Sequence, residues 1–492
     1  MRTSGILMPI FSLPSDYGIG SFGKEASEFV DFLHKAGQSY WQILPMSPTN
    51  YGDSPYQSFS SFAGNPYFID IETLIEKGLL TKREADSFDF GNNPQKIDYE
   101  KLYNNRLPLL KIAFSRFKAD ENYELFKKEN SYWLYDYALF MALKKANSDK
   151  DFYEWDKALC LYERSAIDAK ASEYKKELEF YCFLQYEFML EWLSLKEYAN
   201  KKGIKIIGDI PIYVALDSAE VWSRPELFLL DKNKKPTAVA GCPPDAFSDD
   251  GQLWGNPLYN WAYMQKDGFV WWKQRISHAL KLYDFIRIDH FRGFESFYAI
   301  PYGQKTAKGG KWIKGPDYKL FKALTEEFGK DLPIIAEDLG YITPAVDKLL
   351  KRTGFKGMSV LQFAFDSDGE NRYLPHNHIK NSVVYTGTHD NSTVMGWAES
   401  VDSDTLAVAR KYLSASDSES FNWTMMRTAL MSVADTAILM MPDLIGLDDT
   451  ARINEPSTIG GNWTWRIEKG CINDWLAGIV RENTALYGRL PK

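Results

Sequence analysis

The stretch FIRIDHFRG, Phe285 to Gly293, begins as a buried strand and ends as a cluster of charge. Phe285, Ile286 and Ile288 are apolar, whereas Arg287, Asp289 and His290 crowd the C-terminal end. Burying an ion without a partner is costly, so such residues belong where a strand runs out of the core. Seven other short apolar runs have a similar form. They are GILMPI near residue 5, YWQILPM near 40, IKIIGDIPIYV from Ile204, LPIIAEDL near 332, GMSVLQFAF near 357, SVVYTGTHD near 382 and AILMMPDLIG near 437. None alternates cleanly, which predicts strands covered on both faces, as in a parallel sheet.

Helical patterns lie between many of these runs. KEASEFVDFLHKAG places Phe29, Phe32, Leu33 and Ala36 at i, i+3, i+4 and i+7, and Gly37 ends the pattern. GFVWWKQRISHALKLYDF repeats it with Trp272, Ile276, Ala279, Leu280 and Tyr283. Eight strands alternating with helices predict an α/β chain built as a (β/α)8 TIM barrel, here one catalytic barrel over residues 1–492. A doubly wound sheet competes, but YGIGSFGKE does not fit its GxGxxG turn and AKGGKW lacks P-loop spacing. About 160 residues separate the second run from the third. Much of that gap reads as a mainly helical insertion over residues 65–180. The Pro, Gly and Asp content of residues 221–260, after the third strand, predicts a loop insertion.

Composition narrows the classes. The net charge of −8 argues against a nucleic-acid partner. No apolar run reaches the 18 residues of a membrane span, and the N-terminal run is too short for a signal peptide. The expectation is a cytoplasmic protein. Cys160, Cys182, Cys242 and Cys471 form no CxxC pair, so neither a zinc site nor a disulfide frame is indicated. Aromatic residues make up 15% of the chain. Most are expected in the core, but some suit a ligand with apolar faces and hydroxyl edges, such as a sugar.

The strand ends carry the chemistry. Asp209 ends one run, Asp289 another, Glu337 and Asp338 a third, and His389 and Asp390 follow a fourth. Carboxylates converging on one barrel mouth either hold a hard cation or work on a glycosidic bond. Arg287 lies two residues before Asp289, on the same side of the strand. A fixed cation there keeps a carboxylate nucleophile ionised and does not help a metal site. His376 and His378 form an HxH pair, but YLPHNHIK reads as a solvated loop.

At this point the residues resemble a known family. RIDH, AEDLG and GTHDN resemble strand-end signatures of the α-amylase clan. GNPYFIDIETL, GCPPDAFSDDGQLWGNPLYNW, IRIDHFRGF, TGTHDNSTVMGW and ARINEPSTIGGNWTWRI are similar to the amylomaltases, the 4-α-glucanotransferases. The resemblance starts at SGILMPIFSLPSDYGIG and covers nearly the whole chain. It implies a retaining transferase that moves 1,4-α-glucan segments between maltooligosaccharides, with no cofactor and no metal. By position in matching motifs, Asp289 is the nucleophile, Glu337 the acid/base and Asp390 the carboxylate that orients ring hydroxyls. The resemblance likewise implies that Ser54, Tyr56, Asp209, Trp254, Arg287, His290, Asp338, Asp366, His389 and Asn454 contact substrate.

A glycosyl-enzyme can be attacked by water or by a sugar, and a lid that excludes water favours the sugar. The GCPPDAFSDDGQLWGNP loop, within residues 221–260, is the expected lid. After the eighth strand about 50 residues remain, too few for the C-terminal β-sandwich of many amylases. The alternatives are a retaining hydrolase of the same clan and a catalytically silent glucan-binding protein.

Overall fold

The computed structural model describes residues 2–244 and 249–492. Residues 245–248, inside the segment expected to act as a lid, lie outside the described residues. Among the described residues the strands, in chain order, are β1 (Thr3–Leu7), β2 (Tyr40–Gln42), β3 (Lys205–Ile210), β4 (Ala238–Cys242), β5 (Gln252–Pro257), β6 (Phe285–Ile288), β7 (Ser296–Pro301), β8 (Lys311–Lys314), β9 (Ile334–Ala336), β10 (Gly357–Val360), β11 (Ser382–Tyr385) and β12 (Thr436–Met440).

Eight of these form one parallel sheet in the order β10-β11-β12-β1-β2-β3-β6-β9. A parallel bridge between Ile335 and Lys356 joins β9 back to β10, with Ala336 N donating to Lys356 O at 2.8 Å. That bridge turns the sheet into a barrel. The eight strands are the eight apolar runs of the sequence. Their Ile, Val and Leu side chains, among them Ile6, Ile206, Ile286 and Val384, are buried. Burial on both faces is why the runs do not alternate.

Helices cover the outside. The helix Lys24–Lys35 buries Phe29, Phe32 and Leu33, and Gly37 takes the left-handed φ of +67° just past its end. The helix Val270–Leu282 buries Trp271, Trp272, Ile276, Ala279 and Leu282. Between β2 and β3 the chain forms the helices Tyr99–Arg116, Glu121–Glu129, Leu134–Ala146 and the 27-residue Lys175–Lys201. The last buries Phe183, Phe188 and Trp192, and the Trp192 indole donates to Leu282 O at 3.0 Å. It therefore belongs to the barrel wall as well as to the helices that precede it. Aromatic side chains cement this junction, with Phe22 edge-on to Phe188 at 5.1 Å and Phe117 at 4.8 Å from Phe183.

The stretch after β3, whose composition predicts loop, contains β4 and β5. With β7 and β8 they make a second, antiparallel sheet in the order β5-β4-β7-β8. The register slips between Val239 and Gly241. A side chain at Gly241 would meet Gln252 O at 2.2 Å, so the glycine permits the close approach of β4 to β5. Among the described residues no helix is long and apolar enough to cross a membrane.

Candidate active site

The site begins with the pairing of β3 and β6, which sets Asp209 opposite Arg287. Arg287 Nη1 donates to Asp209 Oδ2 at 2.6 Å, and Nη2 lies 3.0 Å from Asp289 Oδ1. The Tyr56 hydroxyl also donates to Asp209 Oδ2, at 2.8 Å. Arg287 and Asp209 are buried, whereas the Asp289 side chain is 29% exposed. Of the two carboxylates on the guanidinium, only Asp289 is therefore open to a substrate. Burial opposes the Arg287 charge, but Asp209 and then Asp289 outweigh it and hold the guanidinium charged. Burial pushes the Asp209 carboxyl upward, against the pull of Arg287.

The backbone then reverses at His290, whose φ of +52° is left-handed. A non-glycine residue in that region is strained. The reversal turns the His290 N–H to Glu337 Oε2 at 2.7 Å, while Leu339 N donates to Oε1 at 2.8 Å. Glu337 N also donates to Ile288 O, and Phe291 N to Glu337 O, each at 3.0 Å. The Glu337 carboxyl is thus fixed at the ends of β6 and β9, one residue from Asp289. Burial, then the Asp289 charge, raises its pKa to about 7, against Arg287 and the two backbone N–H groups.

A general acid must begin protonated, and the protonated fraction of Glu337 falls as pH rises through about 7. The profile of kcat/KM against pH should therefore show a basic limb near 7, dropping about tenfold per pH unit above it. A profile flat to pH 9 would remove Glu337 from the acid role.

The opposite wall of the mouth rises from β11 and from the segment after β12. Asn454 Nδ2 donates to Asp390 Oδ1 at 2.6 Å, and Arg452 Nη2 to Asp390 O at 3.1 Å. His389 Nε2 lies 3.4 Å from Asp390 Oδ2, and Asn454 N donates to His389 O at 3.0 Å. The His389 ring stacks on Tyr56, 5.1 Å between centroids and 12° between planes. Burial pushes its pKa down, so the imidazole is neutral near pH 7. Trp463 closes this group, 5.8 Å from Tyr56 and 5.9 Å from His389. Sequence reasoning missed Trp463 and Arg452. The loop ARINEPSTIGGNW that holds them was in view, but a single Trp or Arg in a loop carries no periodic signal.

Two further expected residues belong to this cluster. Trp254, on β5, stands edge-on to His290 at 4.8 Å. Burial pulls the His290 pKa down to about 4, and its Nε2 has no protein partner. Ser54 Oγ accepts the Tyr56 N–H at 3.2 Å and so positions the tyrosine. Tyr213, not foreseen, lies near both Trp254 (6.3 Å) and His290 (6.5 Å).

Two others stand apart. Asp338 is enclosed, accepting Met358 N at 2.7 Å and Arg372 Nη2 at 2.8 Å. It braces β9 against β10. Asp366 is exposed on the loop after β10, where Asn371 Nδ2 donates to it at 3.3 Å. The HxH pair is engaged with protein, His376 Nδ1 with the Tyr412 hydroxyl and His378 Nδ1 with Ser432 Oγ, both at 2.8 Å. Among the described residues no three His, Cys, Asp or Glu side chains converge as metal ligands would.

Comparison with known proteins places this geometry. A family model described as 4-alpha-glucanotransferase matches residues 8–472. A 4-alpha-glucanotransferase of Clostridium butyricum is 51% identical over 486 residues, 98% of this chain and 100% of that protein. One from Streptococcus pneumoniae is 48% identical over 494 residues, 99% of this chain and 98% of its own. The solved amylomaltase from Streptococcus agalactiae in complex with acarbose superposes with a TM-score of 0.97 at 44% identity, covering both chains fully. The amylomaltase from Corynebacterium glutamicum shares the fold at a TM-score of 0.78 and 18% identity, over 100% of this chain and 75% of that one.

Proposed function

The chain belongs to the 4-alpha-glucanotransferase family and is an enzyme of that activity, and on this premise we propose that Asp289, Glu337 and Asp390 carry the reaction. Asp289 attacks the anomeric carbon of a 1,4-α-linked donor. The C1–O4 bond breaks, its electrons pass to O4, and Glu337 delivers a proton there. The leaving glucan departs and a covalent glycosyl-enzyme remains. The 4-hydroxyl of an acceptor then attacks the same carbon, Glu337 takes its proton, and the Asp289 ester is released. Asp390, aimed by Asn454, holds ring hydroxyls during both steps.

The observation that carries this assignment is the 2.7 Å hydrogen bond from His290 N to Glu337 Oε2. It ties the acid/base to the residue next to the nucleophile, as a retaining pair about 5–5.5 Å apart requires. The substrates are 1,4-α-glucans and maltooligosaccharides, and the S. agalactiae relative holds acarbose. Tyr56 lines the donor side of the mouth, with buried His389 stacked on it and Trp463 packed against both. Residues 221–260, with Trp254 over His290, act as the lid that keeps water from the ester. Residues 65–180 form an inserted helical body that supports the β2 side of the mouth.

Maltotriose tests this reading directly. Purified protein should yield glucose together with a ladder of longer maltooligosaccharides, resolved by chromatography. Glucose and maltose without a ladder would mean that water, not sugar, is the acceptor. Binding without turnover would leave only a silent glucan-binding protein.

A further inference from the structure

Beyond the C-terminal end of β9, an aromatic ring is held out into solvent. Tyr341 follows Glu337 by four residues, on the loop leaving β9, and is 72% exposed. A single exposed aromatic side chain needs no explanation. This one is fixed from behind. The Arg292 guanidinium lies 5.3 Å from the Tyr341 ring centroid and 3.8 Å from that of Trp312 on β8. Arg292 Nη1 also donates to Tyr341 O at 2.6 Å. Trp312 packs in turn on buried Tyr298, 5.2 Å away, whose hydroxyl donates to Ala307 O at 3.1 Å. The result is a packed series, Tyr341 and Trp312 on either side of Arg292 and Trp312 edge-to-face with Tyr298, with its outermost ring exposed.

This series has a definite place relative to the reacting groups. Arg292 is two residues beyond His290, whose N–H binds Glu337. Leu339, two residues before Tyr341, donates its N–H to Glu337. The wall made by Tyr56, His389, Asp390 and Trp463 leaves other strands, β2, β11 and β12. Glu337 protonates the leaving oxygen, so its flank is where leaving and accepting chains lie. A ring there with one face backed and the other open meets the apolar face of a glucose unit, and its fixed rotamer lowers the ordering cost of binding.

We propose that Tyr341, clamped by Arg292 against Trp312, is a stacking platform for an acceptor glucan, beyond the ring that takes the new bond. The proposal rests on the glucan-transfer reading above. A longer acceptor reaches the platform and glucose does not.

The test uses α-maltosyl fluoride as donor and compares kcat/KM for maltotriose and for glucose as acceptors. In Tyr341→Ala the ratio of maltotriose to glucose should fall about three- to tenfold, the size of one stacking contact. Tyr341→Phe keeps the ring and should hold the ratio within about twofold of the wild type. A ratio unchanged in Tyr341→Ala, or lost equally in Tyr341→Phe, overturns the platform while leaving the transferase reading intact. Wild-type protein that transfers to neither acceptor would overturn both.

Discussion

Asp289→Asn is expected to lower turnover on maltotriose by roughly 10⁵-fold or more, the scale seen when a covalent nucleophile is removed. An amide of the same shape cannot attack the anomeric carbon. The fold should survive the change, because Arg287 keeps its 2.6 Å bond to Asp209 when its contact with residue 289 weakens. A melting temperature within a few degrees of the wild type would confirm that the loss is chemical. Mass spectrometry gives the sharper reading. Wild-type protein incubated with α-maltosyl fluoride should carry an added maltosyl group, and Asp289→Asn should not. Survival of the adduct in the variant would assign the nucleophile to another residue.

Glu337→Gln should cost about 10²–10⁴-fold in turnover on maltotriose, the usual contribution of a positioned acid/base. Its effect should depend on the leaving group. Fluoride departs without a proton, so the variant should still form the glycosyl-enzyme from α-maltosyl fluoride. The second step does need a base, so the ester should accumulate and fluoride should appear as a burst followed by a slow phase. Near-normal turnover on maltotriose would take Glu337 out of the mechanism. Glutamine keeps the Oε1 acceptor for Leu339 N at 2.8 Å, so the loop leaving β9 is preserved.

The barrel was legible because strands covered on both faces leave short apolar runs, and many of those runs are separated by helical patterns. Asp289, Glu337 and Asp390 were legible because each terminates such a run. The second sheet was not. Its β4–β7 ladder pairs Val239 with Ile300, far apart in the chain, and neither strand alternates. Asp338 shows the limit of reading by adjacency. Its carboxylate is taken up by Met358 N and Arg372, partners that its place beside Glu337 in the sequence does not reveal. Trp463 was beyond reach, because only folding brings the segment after β12 against Tyr56.

Arg287 touches two carboxylates, and only one of them would change in the proposed reaction. When Asp289 becomes an ester its charge vanishes, yet the guanidinium still has Asp209 and is never left as a lone buried cation. Glu337 experiences the same event differently. Burial still favours its proton, but the anionic neighbour that helped retain it is gone while Arg287 remains. In the proposed cycle the residue that enters as a proton donor is thereby turned into a proton acceptor as the covalent bond forms. Breaking that bond restores the starting state. The proposed cycle would carry its own timing signal, written in the charge of one aspartate and read by the glutamate on the next strand.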